Sequence, residues 1–133
     1  MRTALVVLSV ALVCLACGGE LPKKMDLPTA TPTYDAETLR MKYDLVMSLI
    51  QDLSCTDDSQ CASFALGIKA CGGTARYVVY STVHVDGKAL SDAIADFNAY
   101  DAGWQAQVGS LSDCMLTPQA NPRCVQNQCV DQR

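Results

Sequence analysis

Six of the chain's eight cysteines fall between positions 55 and 129: Cys55, Cys61, Cys71, Cys114, Cys124 and Cys129. With 133 residues the chain holds one domain, since two separate cores would each be too small to be stable. A short chain this rich in cysteine is typical of exported proteins, in which disulfides reinforce a small core. The cysteines bracket Cys71-Gly72-Gly73 and the run Thr74 to Ser81, the most strand-like stretch present. The fold therefore has to be one in which loops around a central strand are tied together covalently.

Six cysteines allow fifteen pairings, and two schemes carry weight. The local one joins Cys55 to Cys61, Cys71 to Cys114 and Cys124 to Cys129. The crossed one ties Cys55 and Cys61 to the terminal pair Cys124 and Cys129. Both keep Cys71–Cys114, and spacing alone does not choose between them. A Cys71–Cys114 bond closes a loop of about 40 residues, for which chain entropy gives about 4 kcal/mol, against about 2 for a six-residue loop.

The N-terminus accounts for export. Arg2 precedes an apolar run, Ala4 to Val13, about half the ~20 residues that span a bilayer as a helix. The run ends in Cys14-Leu15-Ala16-Cys17-Gly18-Gly19. Here the chain resembles bacterial lipoprotein precursors, which are cut just before a cysteine that then carries diacylglycerol. The resemblance implies a signal peptide over 1–16 and lipidation, palmitate included, at Cys17. Cys14 and Leu15 depart from the commonest residues at their positions. If Cys14 leaves with the signal and Cys17 is acylated, an even number of cysteines remains to pair. Plain cleavage after Ala16 instead leaves Cys17 as an odd thiol.

Residues 17–33 read as the lipidated cysteine and a tether, with Gly18, Gly19, Pro22, Pro28 and Pro32 and no apolar periodicity. It reaches about 55 Å fully stretched and about 20 to 25 Å as a coil, enough to hold a domain clear of a membrane. The domain then covers 34–133.

Within it, Thr33 to Leu53 reads as a helix capped by Thr33. Leu39, Tyr43, Val46, Ile50 and Leu53 form its apolar face, and Leu45 and Leu49 widen it. Ala62 to Ala70 is a strand in which Gly67 marks a bulge or bend, and Ala75 to Thr82 is its hairpin partner. Asp86 to Val108 is a second helix, capped by Asp86 and stopped by Gly109. Asp101 interrupts its stripe, and Gly103 points to close packing or a kink. Cys124 to Cys129 is a tight hairpin with Gln126-Asn127 at its tip. The expected fold is α+β: two amphipathic helices on a small antiparallel sheet, stapled by three disulfides.

Composition excludes some partners. A net charge of −4 and a pI near 4.7, with scattered Lys and Arg, are the opposite of what a phosphate backbone selects, so no nucleic-acid partner is expected. Asp57-Asp58 in the Cys55–Cys61 turn lack the alternating acids of a calcium loop. Apart from Cys14 and Cys17, which flank the expected signal cleavage point, the cysteines lack the repeated close pairs of a zinc site and any thioredoxin-like spacing, so no metal or cofactor is expected. His84 is the sole histidine and the one residue open to His-based acid–base work. No serine nucleophile motif or phosphate loop accompanies it, and no enzymatic activity is expected. Arg76, Tyr77 and Tyr80 are the candidate contact residues. The two tyrosines fall on opposite faces of their strand, so at least one can look outward.

From Cys55 onward the order Cys-Thr-x-Asp-Ser-x-Cys, Leu-Gly-x-Lys-x-Cys-Gly-Gly and Tyr-x-x-Tyr-Ser resembles a group of small cysteine-rich bacterial lipoproteins. Such proteins occur in predatory soil bacteria such as myxobacteria and in some xanthomonads. The resemblance runs from Cys55 to Val130 and implies a location and a disulfide scaffold, with no activity attached. The expectation is a lipid-anchored lipoprotein of the bacterial cell envelope, on the periplasmic or surface face of the outer membrane, acting as a non-enzymatic binding module, inhibitor-like in one form, toward an envelope protein. Alternatives are an envelope hydrolase or small-ligand binder using His84, and a structural lipidated spacer.

Overall fold

A computed structural model describes residues 33–133. The signal peptide over 1–16, Cys17 and all but the last residue of the tether lie outside the described residues. In chain order the domain runs α1 (Ala36–Leu49), a 3-10 turn (Asp58–Gln60), β1 (Cys61–Ile68), β2 (Thr74–Ser81), α2 (Gly87–Val108), β3 (Pro122–Val125) and β4 (Gln128–Asp131). The class is α+β. The strands form two separate antiparallel hairpins, β1–β2 and β3–β4, where one sheet was expected.

Helix α1 starts later than expected. Asp35, not Thr33, is the cap: its carboxylate accepts the Thr38 N–H at 2.8 Å. The helix also ends at Leu49 rather than Leu53. Asp52 Oδ1 accepts the Ser54 N–H at 2.9 Å, and this local turn competes with further helix. Leu53 is recruited elsewhere, as described below. Helix α2 begins and ends as the sequence indicates: Asp86 accepts from the N–H groups of Lys88 and Ala89, and Gly109 closes the helix at φ 64°.

The core lies between the two helices and one face of the first hairpin. Val46 and Ile50 of α1, Leu66 of β1 and Leu90, Ala93 and Phe97 of α2 are buried together. Phe64, Val78 and Tyr80 border them. Leu45 does not widen the core; it and Met41 are exposed. The β1–β2 register pairs Phe64 with Val78, Leu66 with Arg76 and Ile68 with Thr74. The register is the same on both sides of Gly67, whose φ of +77° is therefore a bend, not a bulge.

That bend is where α2 docks. Asn98 Oδ1 accepts the Gly67 N–H and Asp101 Oδ2 the Ile68 N–H, each at 2.8 Å. Asp101 breaks the apolar stripe because it serves this backbone group from a site only 6% exposed. A Cβ on Gly67 would sit 3.0 Å from Ala75 Cβ. Gly103 reflects close packing rather than a kink, because a Cβ there would fall inside the Tyr34 ring. Tyr34 also stacks edge-on with Tyr100, and its N–H and carbonyl are held by the Gln107 amide.

The second hairpin is stapled on by the crossed disulfides Cys55–Cys124 and Cys61–Cys129. Gln126 and Asn127 both adopt left-handed backbone, the geometry of a two-residue turn matched to strand twist. Cys124 and Cys129 stand opposite each other yet bond elsewhere. Their outward N–H groups explain why. Cys129 donates to the Leu53 carbonyl at 2.8 Å, and Cys55 donates to the Asn127 carbonyl at 3.1 Å. Cys124 donates to Asp58 Oδ1 at 2.7 Å. The 53–55 segment thus runs along the edge of β4 and brings Cys55 and Cys61 to the hairpin. Cys71 and Cys114, the expected third pair, are exposed free thiols.

Candidate functional site

Strand alternation divides the candidate contact residues between two faces. Tyr80 lies on the core side, its ring centroid 5.6 Å from that of Phe64. Arg76 shares that side at its open end, its guanidinium 4.7 Å above the Tyr43 ring. With Arg40 it rims a cleft of about 500 Å³ floored by Leu39, Leu66 and Phe97 and closed by Asp101 and Gln105. Asp101 is already engaged by the Ile68 N–H, and Gln105 Nε2 contacts its other oxygen at 3.4 Å. Arg40 is itself paired with Asp44 at 3.7 Å, whereas Arg76 has no carboxylate partner among the described residues.

Tyr77 faces the other way. It is half-buried and lines a second cleft, about 450 Å³, built from the Cys71-Gly72-Gly73 turn and the segment Cys114 to Thr117. The turn forms because Gly72 and Gly73 take φ of 93° and 82°, values that cost glycine little. Lys69 holds the facing loop: its ammonium donates to Asp113 Oδ1 at 3.0 Å and to the Met115 carbonyl at 2.6 Å. The Thr117 hydroxyl donates to the Thr74 carbonyl at 2.7 Å. Both contacts cross more than forty residues of chain, and nothing periodic in the sequence announces them.

This arrangement brings the Cys71 and Cys114 thiols together. The Cys71 thiol is held below its ordinary pKa by hydrogen bonding with Cys114 and Ser112 and by the charge of Lys69. Cys114 is pushed up, first by its hydrogen bond with Cys71 and then by desolvation. The loop around them carries apolar side chains in solvent: Leu111 is 99% and Leu116 94% exposed, and Met115 is also open. Of the candidate contacts, Tyr77 alone reaches this surface. Apart from Cys114, residues 111–116 were missed by sequence reasoning because the segment has neither helical nor strand period.

His84 lies on the surface, with Nε2 3.7 Å from Asp52 Oδ2. Its neighbour is Asp52; Asp86 is engaged as the α2 cap. The shallow cleft beside it includes Ser54 and Thr56, but the Thr56 hydroxyl is directed at Gln60. The Ser81 hydroxyl donates to the Ser54 carbonyl at 2.6 Å in the interior. No hydroxyl hydrogen bond to His84 exists among the described residues. Asp57 and Asp58 are likewise engaged, by the Ser59 N–H and by Cys124 and Arg123. Three sulfurs, of Cys55, Cys61 and Cys129, lie within 4.8 Å of one another. That proximity is two neighbouring disulfides, whose sulfurs offer no thiolate to a metal.

No helix among the described residues is long and apolar enough to cross a membrane. No known protein family, curated protein or solved structure matches the chain, so the reading of its surfaces rests on its own residues.

Proposed function

We propose that the protein is a bacterial envelope lipoprotein, acylated at Cys17, held to the membrane through residues 17–33, and working as a non-enzymatic binding module. In this reading the exported domain carries a third disulfide, Cys71–Cys114. Its contact face is the apolar rim of Leu111, Met115 and Leu116 beside Tyr77, and its partner is an envelope protein with an apolar surface. The supporting observation is the near-complete exposure of Leu111 and Leu116 on a loop that Lys69 and Thr117 hold in place. Ordered apolar side chains in water mark interaction surfaces more often than accidents of folding. Tyr80, packed on Phe64, belongs to the core rather than to this face.

Two measurements test the reading. Labelled palmitate should enter the protein and be lost in Cys17→Ala; labelling that persists overturns the anchor. A photo-crosslinking residue at position 116 should give a discrete adduct with one envelope protein in intact cells. The same residue at exposed Lys88, on α2, should not. Equal or absent adducts at the two positions overturn the contact face.

A further inference from the structure

The two halves of the cysteine framework differ in kind. Cys55 and Cys129 are buried, and their bonds join segments that are already paired through backbone hydrogen bonds. Cys71 and Cys114 are exposed on loops outside any regular element. Those loops are aligned without a covalent link, by Lys69 to Asp113 and Met115 and by Thr117 to Thr74. A bond between them can therefore open and close while the fold stays put. Cys114 also takes a left-handed φ of 55°, a conformation that side-chain-bearing residues rarely adopt. Residues held in this way concentrate at functional positions.

We propose that Cys71 and Cys114 form a thiol–disulfide exchange site, with Cys71 the attacking thiol and Cys114 the resolving one. The substrate class is an accessible disulfide. The Cys71 thiolate attacks one sulfur of the substrate, forming a mixed disulfide and releasing the other substrate sulfur as a thiolate. Cys114 then attacks the Cys71 sulfur, closes the Cys71–Cys114 bond and releases the second substrate thiol. In sum the pair loses two electrons and two protons, and the substrate disulfide is reduced to two thiols. The reverse sequence oxidises a dithiol.

The assignment of roles follows from surroundings. Lys69 belongs to the same turn as Cys71, bonded to Gly72 and Gly73 through its backbone, and its charge favours the Cys71 thiolate; at Cys114 the adjoining Asp113 opposes the same Lys69 charge. The thiolate is the nucleophile, so the sulfur with more thiolate character attacks first. The exposed Met115 and Leu116 line the same cleft and give an incoming chain an apolar seat beside the sulfurs. This site rests on the pairing of Cys71 with Cys114 proposed above and goes beyond the binding role, adding a redox step to it.

Oxidised and reduced glutathione serve as the probe. The full exported chain is equilibrated across glutathione ratios, and each cysteine is scored by differential alkylation and peptide mapping. Cys71 and Cys114 should interconvert together at ratios where Cys55–Cys124 and Cys61–Cys129 remain closed. With oxidised glutathione, Cys114→Ala should accumulate glutathione on Cys71, and Cys71→Ala, whose remaining thiol has Asp113 beside it, should take it up on Cys114 more slowly. The parent chain should hold no lasting adduct, because Cys114 resolves it. A pair that closes but reacts equally in the two variants, or opens only together with the other bonds, overturns the exchange site and leaves the pairing standing. A pair that stays open at every ratio overturns both.

Discussion

Removing Cys61–Cys129 should cost far less than its span along the chain implies. The two disulfides have sequence separations of 69 and 68. Taken alone, either closes a loop of about 70 residues, for which chain entropy gives about 4.4 kcal/mol. They interleave, however. Once Cys55–Cys124 is closed, Cys61–Cys129 only completes a ring through 55–61 and 124–129, roughly a dozen residues, contributing about 3 kcal/mol. Cys61→Ala/Cys129→Ala should therefore lose about 3 kcal/mol, and Cys55→Ala/Cys124→Ala a similar amount. Removing both should cost about 7.4 kcal/mol, more than the sum of the single losses by about 1.4 kcal/mol. That is a large share of the ~5–15 kcal/mol that holds a domain together. Urea unfolding would read these differences in one fixed concentration of stabilising osmolyte, with Cys71 and Cys114 changed to Ser to prevent reshuffling. Strict additivity of the two losses would refute the reasoning, since local bonds Cys55–Cys61 and Cys124–Cys129 close independent small loops and their effects would simply add.

Gly103→Ala should destabilise although Ala gains about 1 kcal/mol as a helix former. The added methyl meets the Tyr34 ring, so a raised melting temperature would contradict the close contact. Asp101→Ala should lose about 1.5–3 kcal/mol by leaving the part-buried Ile68 N–H without its carboxylate acceptor. Asp101→Asn, which keeps an acceptor oxygen, should lose less, and equal losses in chemical denaturation would count against that bond. Acid should weaken the fold. Asp58 is held below the ordinary 3.8 by the Cys124 N–H and Arg123, and Asp35 by Thr38. Depressed carboxyl groups stabilise the folded state above their unfolded pKa, and that stability is lost as pH falls through the folded value. The melting temperature should thus be nearly flat from pH 7 to 5 and fall below about pH 4; a midpoint unchanged at pH 3 would contradict these bonds.

The parts legible in the sequence were those fixed by neighbours in the chain. Asp86 and Gly109 bound α2 because capping chemistry is local, and Gln126-Asn127 turns the last hairpin because both residues accept positive φ. The start of α1 was displaced because Thr33 and Asp35 are both capping residues two positions apart, and only the bond to Thr38 decides between them. The rest depends on partners far along the chain. Asp101 looked like a flaw in an apolar stripe until Ile68 was beside it. Lys69 carried no signal until its ammonium met the 113–115 loop. The crossed pairing was one of two open schemes, and its choice rests on Leu53 and Cys55 lying along β4, a contact without sequence period. The candidate site was half visible: Tyr77 was singled out, but the apolar loop it faces was not.

Proteolysis of the unreduced protein followed by mass spectrometry of its linked peptides tests the scaffold most directly. We expect Cys55 joined to Cys124 and Cys61 to Cys129, with Cys71 found only with Cys114 or as a thiol. Peptides joining Cys55 to Cys61 and Cys124 to Cys129 would contradict it.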